Sequence, residues 1–142
     1  MSVSHVGLRV RDIDAVQPFY TALGFTEANR LTVPDQMAAG LLGLEPPIGF
    51  EAVYLRRGDF VLQLLTMSGH PAPEAPPRDL VGAGLTHLSI AVDDMAAALD
   101  AVTATGGTVV ADPGGGYACM VRDPGGQLIE LVHTRWQPVP RN

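Results

Sequence analysis

His5-Val-Gly-Leu-Arg-Val-Arg-Asp12 returns 82 positions later as His87-Leu-Ser-Ile-Ala-Val-Asp-Asp94, with a histidine leading each copy. The register holds on through Ala15 and Ala97, Thr21 and Thr103, Ala22 and Ala104, and Gly24 and Gly106. Each half also closes on an apolar stretch with one polar residue near its middle, Val61-Leu-Gln63-Leu-Leu65 and Leu128-Ile-Glu130-Leu-Val132. An internal repeat weighs more than local propensity, because each copy must form the same supersecondary unit. It also sorts the chemistry. His5, Gln63, His87 and Glu130 occupy two matched pairs of positions, and all four can donate nitrogen or oxygen to a metal.

Working outward, residues 5–10 set His, Gly and Arg against Val, Leu and Val, the alternation of a half-buried strand. Asp12 offers an N-cap; Val16, Phe19, Tyr20 and Leu23 follow at helical spacing, and Gly24 is a stop. Pro18 belongs in the first turn of a helix, so the regular helix is expected to begin near Asp14 or later. Residues 25–31 read as a second strand, and 50–55 with 60–66 as a hairpin. The Gly- and Pro-containing stretch 34–48 has no equivalent in the second half. Residues 68–84 carry Pro71, Pro73, Pro76 and Pro77 and read as a linker.

Beyond it the plan repeats. Residues 85–92 form a strand, Asp94 a cap, and Met95, Ala98, Leu99 and Val102 an apolar helical stripe. Strands over 108–111, 117–122 and 127–133 follow, the last two joined by Asp123-Pro-Gly-Gly126. The chain therefore reads as one domain over 1–142, built from βαβββ modules over 1–67 and 85–136, in the α+β class. The Pro-containing tail from Gln137 is expected to fray.

Composition bounds the function. Net charge is −6, and the nine basic residues are all arginine, which argues against a nucleic-acid or anionic-membrane surface. Cys119, the one cysteine, cannot close an intramolecular disulfide and suits a reducing cytoplasm. The first residues show no basic and apolar leader, and no run approaches the roughly 18 apolar residues of a membrane span. A soluble, cytoplasmic protein is the expectation.

His5-Val-Gly-Leu-Arg-Val, Phe19-Tyr20 with Leu23-Gly24-Phe25, the second copy His87 to Asp94, and Arg122-Asp-Pro-Gly-Gly-Gln-Leu-Ile-Glu130 together resemble the vicinal oxygen chelate superfamily. That superfamily includes glyoxalase I, methylmalonyl-CoA epimerase, extradiol dioxygenases, fosfomycin-resistance enzymes and bleomycin-binding proteins. The resemblance covers essentially the whole chain. It implies paired modules curled into a half-open, mostly antiparallel barrel, with a divalent metal (Co, Ni, Zn, Mn or Fe) held by His5, Gln63, His87 and Glu130. A glutamate flanked by Ile129 and Leu131 costs several kcal/mol to bury without a counter-charge, which a metal supplies. His70 and His133 are read as non-ligands, and Cys119 as a small buried residue.

The hairpin turn adds a candidate. A three-residue Arg56-Arg57-Gly58 loop pairs Leu55 with Asp59 and sets Glu51 opposite Gln63, turning Tyr54 and Arg56 to the other face. A two-residue Arg57-Gly58 turn instead turns Glu51 away. In the first register Glu51 and Glu130 are carboxylate acid/bases on two sides of a substrate. Two imidazoles and two oxygen donors leave two adjacent positions on an octahedral ion, which a small molecule with neighbouring oxygens can chelate. Lewis-acid stabilisation of the resulting enolate is on the order of several kcal/mol, and a positioned base adds ~10²–10⁴-fold.

The expected function is thus a metal-dependent isomerase or epimerase of a small carbonyl or acyl substrate. The histidine, glutamine, histidine, glutamate set is similar to that of methylmalonyl-CoA epimerase, whereas glyoxalase I usually has glutamate at the place of Gln63. The alternatives are a glyoxalase-type lyase, a dioxygenase or natural-product-modifying enzyme, and a metal-free drug-binding protein. A homodimer is expected, since paired modules expose sheet edges.

Overall fold

Asp12 and Asp94, the two caps marked by the repeat, each open a helix in the computed structural model, which describes residues 1–74 and 79–139. Residues 75–78 of the linker and 140–142 of the tail lie outside the described residues. The chain divides into two compact units, Met1–Glu74 and Ala75–Asn142, both α+β.

In the first unit β1 (Val6–Arg9) leads to α1 (Ile13–Ala22), β2 (Thr26–Val33), α2 (Asp35–Leu42), β3 (Phe50–Arg57) and β4 (Phe60–Met67). The sheet order is β1-β4-β3-β2, with β1 parallel to β4 and the other pairs antiparallel. Asp12 Oδ1 accepts from the backbone N–H of Asp14 and Ala15, satisfying two of the donors a helix start leaves unpaired. Helix α1 begins at Ile13, so Pro18 sits in its second turn and not its first. Pro18 is exposed, and the Asp14 carbonyl that loses its partner also lies on an exposed residue, which keeps the cost low.

The buried face of α1 carries Ile13, Val16, Phe19 and Tyr20. Phe19, Tyr20, Phe25 and Phe60 form a chain of edge-to-face aromatic pairs, each worth ~0.5–1.5 kcal/mol beyond its burial. The stretch unique to this half folds as α2, closed by Gly43 in the left-handed region at φ 67°. Its far end is clamped: Ile48 is fully buried, Asp35 Oδ1 accepts from Gly49 N–H at 2.9 Å, and Gly69 N–H donates to the Ile48 carbonyl. Those backbone bonds from Gly49 and Ile48 hold the Asp35 carboxyl below its usual pKa.

The second unit repeats the topology without the extra helix. It comprises β5 (Leu88–Val92), α3 (Met95–Ala104), β6 (Thr108–Ala111), β7 (Ala118–Arg122), β8 (Leu128–His133) and a short 3-10 turn, Thr134–Trp136. The order β5-β8-β7-β6 is that of the first unit, again with the outer pair, β5 and β8, parallel. Met95, Ala98 and Val102 of the expected stripe are buried on α3, while Leu99 is only half-buried. Buried Asp123 builds the β7–β8 turn by accepting from Gly125 and Gln127 N–H, both at 2.9 Å. No helix among the described residues is long and apolar enough to cross a membrane.

The hairpin register differs from the one that placed Glu51 beside Gln63. Arg57 pairs with Phe60, so the loop is Gly58-Asp59, with Gly58 at φ 59° as its first residue. Leu55 consequently pairs with Leu62 and not Asp59, and Glu51 lies opposite Thr66. Core packing decides this. The observed register sets Val53 against Leu64 and Leu55 against Leu62, all buried on one face, whereas the other would put Gln63 among them.

Candidate functional site

In the first unit three adjacent strands contribute a row across one sheet face: Tyr54 on β3 lies opposite Gln63 on β4, which lies beside Gly7 on β1. Gln63 is 7 % exposed, and its Nε2 donates to the Tyr54 hydroxyl at 2.8 Å. The absence of a side chain at Gly7 leaves room for Gln63 Oε1, which a Cβ there would approach to 3.1 Å. His5 stands one residue before β1 and is exposed; its ring meets that of Tyr54 edge to face, centroids 5.3 Å apart. Tyr54, expected to face away, is therefore the residue in contact with both first-unit donors.

In the second unit His87 stands just before β5, and its Nε2 lies 3.8 Å from Glu130 Oε2 on β8. Both side chains are 32 % exposed. Strand alternation buries Ile129 and Leu131 on the opposite face, so Glu130 is not the fully buried carboxylate that the apolar flanks suggested. Ser89 on β5 donates to Glu130 Oε2 at 2.6 Å, and Met120 is the residue opposite Glu130 on β7. Within either unit no three His, Cys, Asp or Glu side chains form a metal-holding group among the described residues. Each unit by itself carries two of the four candidate donors.

The repeat extends one residue further back than the opening motif. Ser4 Oγ is 3.0 Å from His5 Nδ1, and Thr86 Oγ1 is 2.9 Å from His87 Nδ1. A histidine that donates Nδ1–H to such a hydroxyl keeps its Nε2 lone pair for a metal. The 82-residue offset that relates His5 to His87 also relates Ser4 to Thr86, so the signal was present in the sequence.

By chemistry the candidate set suits a divalent ion: two imidazoles, one amide and one carboxylate, each with a polar neighbour within hydrogen-bond reach. Glu51, by contrast, shares the face of Val53 and Leu55, with Oε1 3.7 Å from Arg30 Nη1. It lines a separate cavity of about 580 Å³ in the first unit, together with Arg9, Asp12, Arg30, Thr66 and Glu74. None of the four donors lines that cavity. Its charges are largely paired with one another, Arg30 with Glu51 and Arg11 with Glu74, while Asp12 caps α1. His70 is engaged by the Glu45 carbonyl, and His133 accepts from Arg135 N–H. Burial, helped by a hydrogen bond with Asp112, pushes the Cys119 thiol up to about 11, which removes it as a nucleophile at neutral pH.

The chain is 32% identical over 143 residues to an Arabidopsis thaliana protein named "Probable lactoylglutathione lyase, chloroplastic". It is 27% identical to a second Arabidopsis thaliana protein, a lactoylglutathione lyase. Each match covers 96% of this chain but 37% and 45% of those relatives, so the chain spans less than half their length. A glyoxalase family protein from Bacillus cereus superposes with a TM-score of 0.82 at 19% identity, covering 94% of this chain and 93% of that one. Leishmania major glyoxalase I, trypanothione-dependent, superposes at 0.73 and 23% identity, covering 95% and 88%. These two likenesses show a shared fold. The family model described as Glyoxalase/Bleomycin resistance protein/Dioxygenase superfamily matches residues 2–131, and the chain belongs to that superfamily.

Proposed function

We propose that the chain is a metal-dependent lyase of this superfamily, with His5, Gln63, His87 and Glu130 as donors to one divalent ion. The observation that carries the reading is the matched orientation of the donors: Ser4 and Thr86 at the two histidines, Tyr54 at Gln63, Ser89 at Glu130. Such ligand-orienting partners are the usual accompaniment of a metal site. Relatives named lactoylglutathione lyase support the reaction class. A bound ion would supply Lewis-acid stabilisation to a substrate presenting two neighbouring oxygens.

The chain's own part is to orient and to move a proton. With Oε2 held by Ser89, Glu130 is the carboxylate available to take a proton from the carbon next to a carbonyl, a contribution of ~10²–10⁴-fold. A lyase that returns one proton needs one such base. An epimerase working from two sides needs a second, and the hairpin register sets Glu51 on the opposite face from Gln63. That favours the lyase over the epimerase. The reading extends to a homodimer, because β2 and β6 are edge strands whose residues are mostly exposed.

Protein purified without chelator should contain stoichiometric metal and convert the hemithioacetal of glutathione and a 2-oxoaldehyde into the thioester. His87→Ala should fold and lose the metal. Full metal occupancy in that variant, or no thioester formed by the metal-loaded parent, overturns the reading.

A further inference from the structure

Tyr54 is the residue in which the first unit's donors meet. Its hydroxyl accepts from Gln63 Nε2 at 2.8 Å, and its ring lies at 87° to that of His5, centroids 5.3 Å apart. The hydrogen bond anchors the amide, with Nε2 as the end that meets the hydroxyl. With Nε2 turned to Tyr54, Oε1 is turned over Gly7, where the absence of a Cβ gives it room. Gln63 is buried between Leu62 and Leu64, so an unheld amide would be free to present either end. An N–H end cannot bind a cation. The ring contact acts on the other donor, since exposed His5 has its own hydroxyl neighbour at Nδ1 and needs a wall to define its plane.

We propose that Tyr54 is a positioning residue for metal binding, presenting Gln63 Oε1 through its hydroxyl and setting the plane of His5 through its ring. This rests on the metal reading above. The second unit has no counterpart: Met120 is the residue opposite Glu130, and the orienting group there is Ser89 on the other neighbouring strand. The two units thus hold their strand donors from opposite sides, and Tyr54 serves only the first.

Tyr54→Phe removes the hydroxyl and keeps the ring; Tyr54→Leu removes both. Titration of each metal-free protein with Zn²⁺ against a competing chelator should show affinity weakened ~10- to 100-fold for Tyr54→Phe and further for Tyr54→Leu. Thermal midpoints should stay near the parent's. A readout without metal accompanies it: the Gln63 side-chain NH₂ resonances, dispersed and slow to exchange in the parent, should collapse toward free-amide values in Tyr54→Phe. Parent-like Zn²⁺ affinity in Tyr54→Phe overturns the proposal alone. A parent that binds no Zn²⁺ overturns both the metal reading and this one.

Discussion

Ser89 Oγ lies 2.6 Å from Glu130 Oε2, reaching it from the parallel strand beside it, at the position where the first half of the repeat has Gly7. The same offset that relates the histidines therefore relates a serine that holds a carboxylate to a glycine that makes room for an amide. The difference follows from charge. A carboxylate only accepts and needs a donor, while Gln63 brings its own N–H and needs an acceptor, which Tyr54 supplies.

Ser89→Ala should leave the fold intact, because Ser89 is exposed and the bond is worth on the order of 1–2 kcal/mol. Metal affinity should fall ~10- to 100-fold, as for other ligand-orienting residues. Competitive chelator titration reads this directly. Unchanged affinity would make the serine a surface contact only.

Ser4→Ala and Thr86→Val remove the two hydroxyls at the histidine Nδ1 atoms. Each should weaken metal binding by roughly tenfold, and the double variant further than either alone. Nitrogen chemical shifts of His5 and His87 should move toward the mixed tautomer population of free imidazole. Histidine shifts that match the parent's would show that the hydroxyls orient nothing.

Most of the fold was legible because the repeat constrains it twice. Asp12 and Asp94 cap helices, the apolar stripes are buried except for half-buried Leu99, and strand order is the same in both units. Two features were not. The turn after Arg57 was misplaced because Arg56-Arg57-Gly58-Asp59 admits several loops, and a change of parity turns every side chain to the other face. That single step exchanged Tyr54 for Glu51 on the donor face. Helix α2 lies in a segment without a second copy for comparison; the helix itself buries the small Ala38, and the large buried residue of the segment, Ile48, lies beyond it. The candidate donors were visible as repeat-matched residues. Their orienting partners on neighbouring strands were not, since those depend on register.

Cys119 should resist alkylation. Its thiol is buried and pushed up to about 11, so little thiolate exists at pH 8, and iodoacetamide should modify it only after denaturation. The sign for stability follows. The unfolded thiol ionises first, near its usual value of about 9, so the thiol's contribution is complete below pH 9 and is lost as pH rises toward 11. Cys119→Ala should flatten stability across that alkaline window. A parent labelled rapidly at pH 8 in the native state would contradict the burial.

Two glycines in the first unit should respond to alanine in opposite directions. Gly40 lies in the exposed face of α2 with nothing within 4 Å of an added Cβ. Its backbone is helical, so Gly40→Ala should stabilise by about 0.5–1 kcal/mol, mainly by restricting the unfolded chain. Gly69 sits where the chain after β4 passes over the 45–49 segment. A Cβ there would lie 1.9 Å from the Pro47 carbonyl oxygen and 2.5 Å from its carbon, both backbone atoms that cannot rotate aside. Gly69→Ala must push the two segments apart and stretch the bond from Gly69 N–H to the Ile48 carbonyl, which holds the buried end of that segment. The cost should be ~1–3 kcal/mol, the range for overpacked sites. Thermal midpoints should therefore rise by roughly 2–4 °C for the first variant and fall by more for the second. A Gly69→Ala protein as stable as the parent would mean that the segment after α2 is not clamped by this contact.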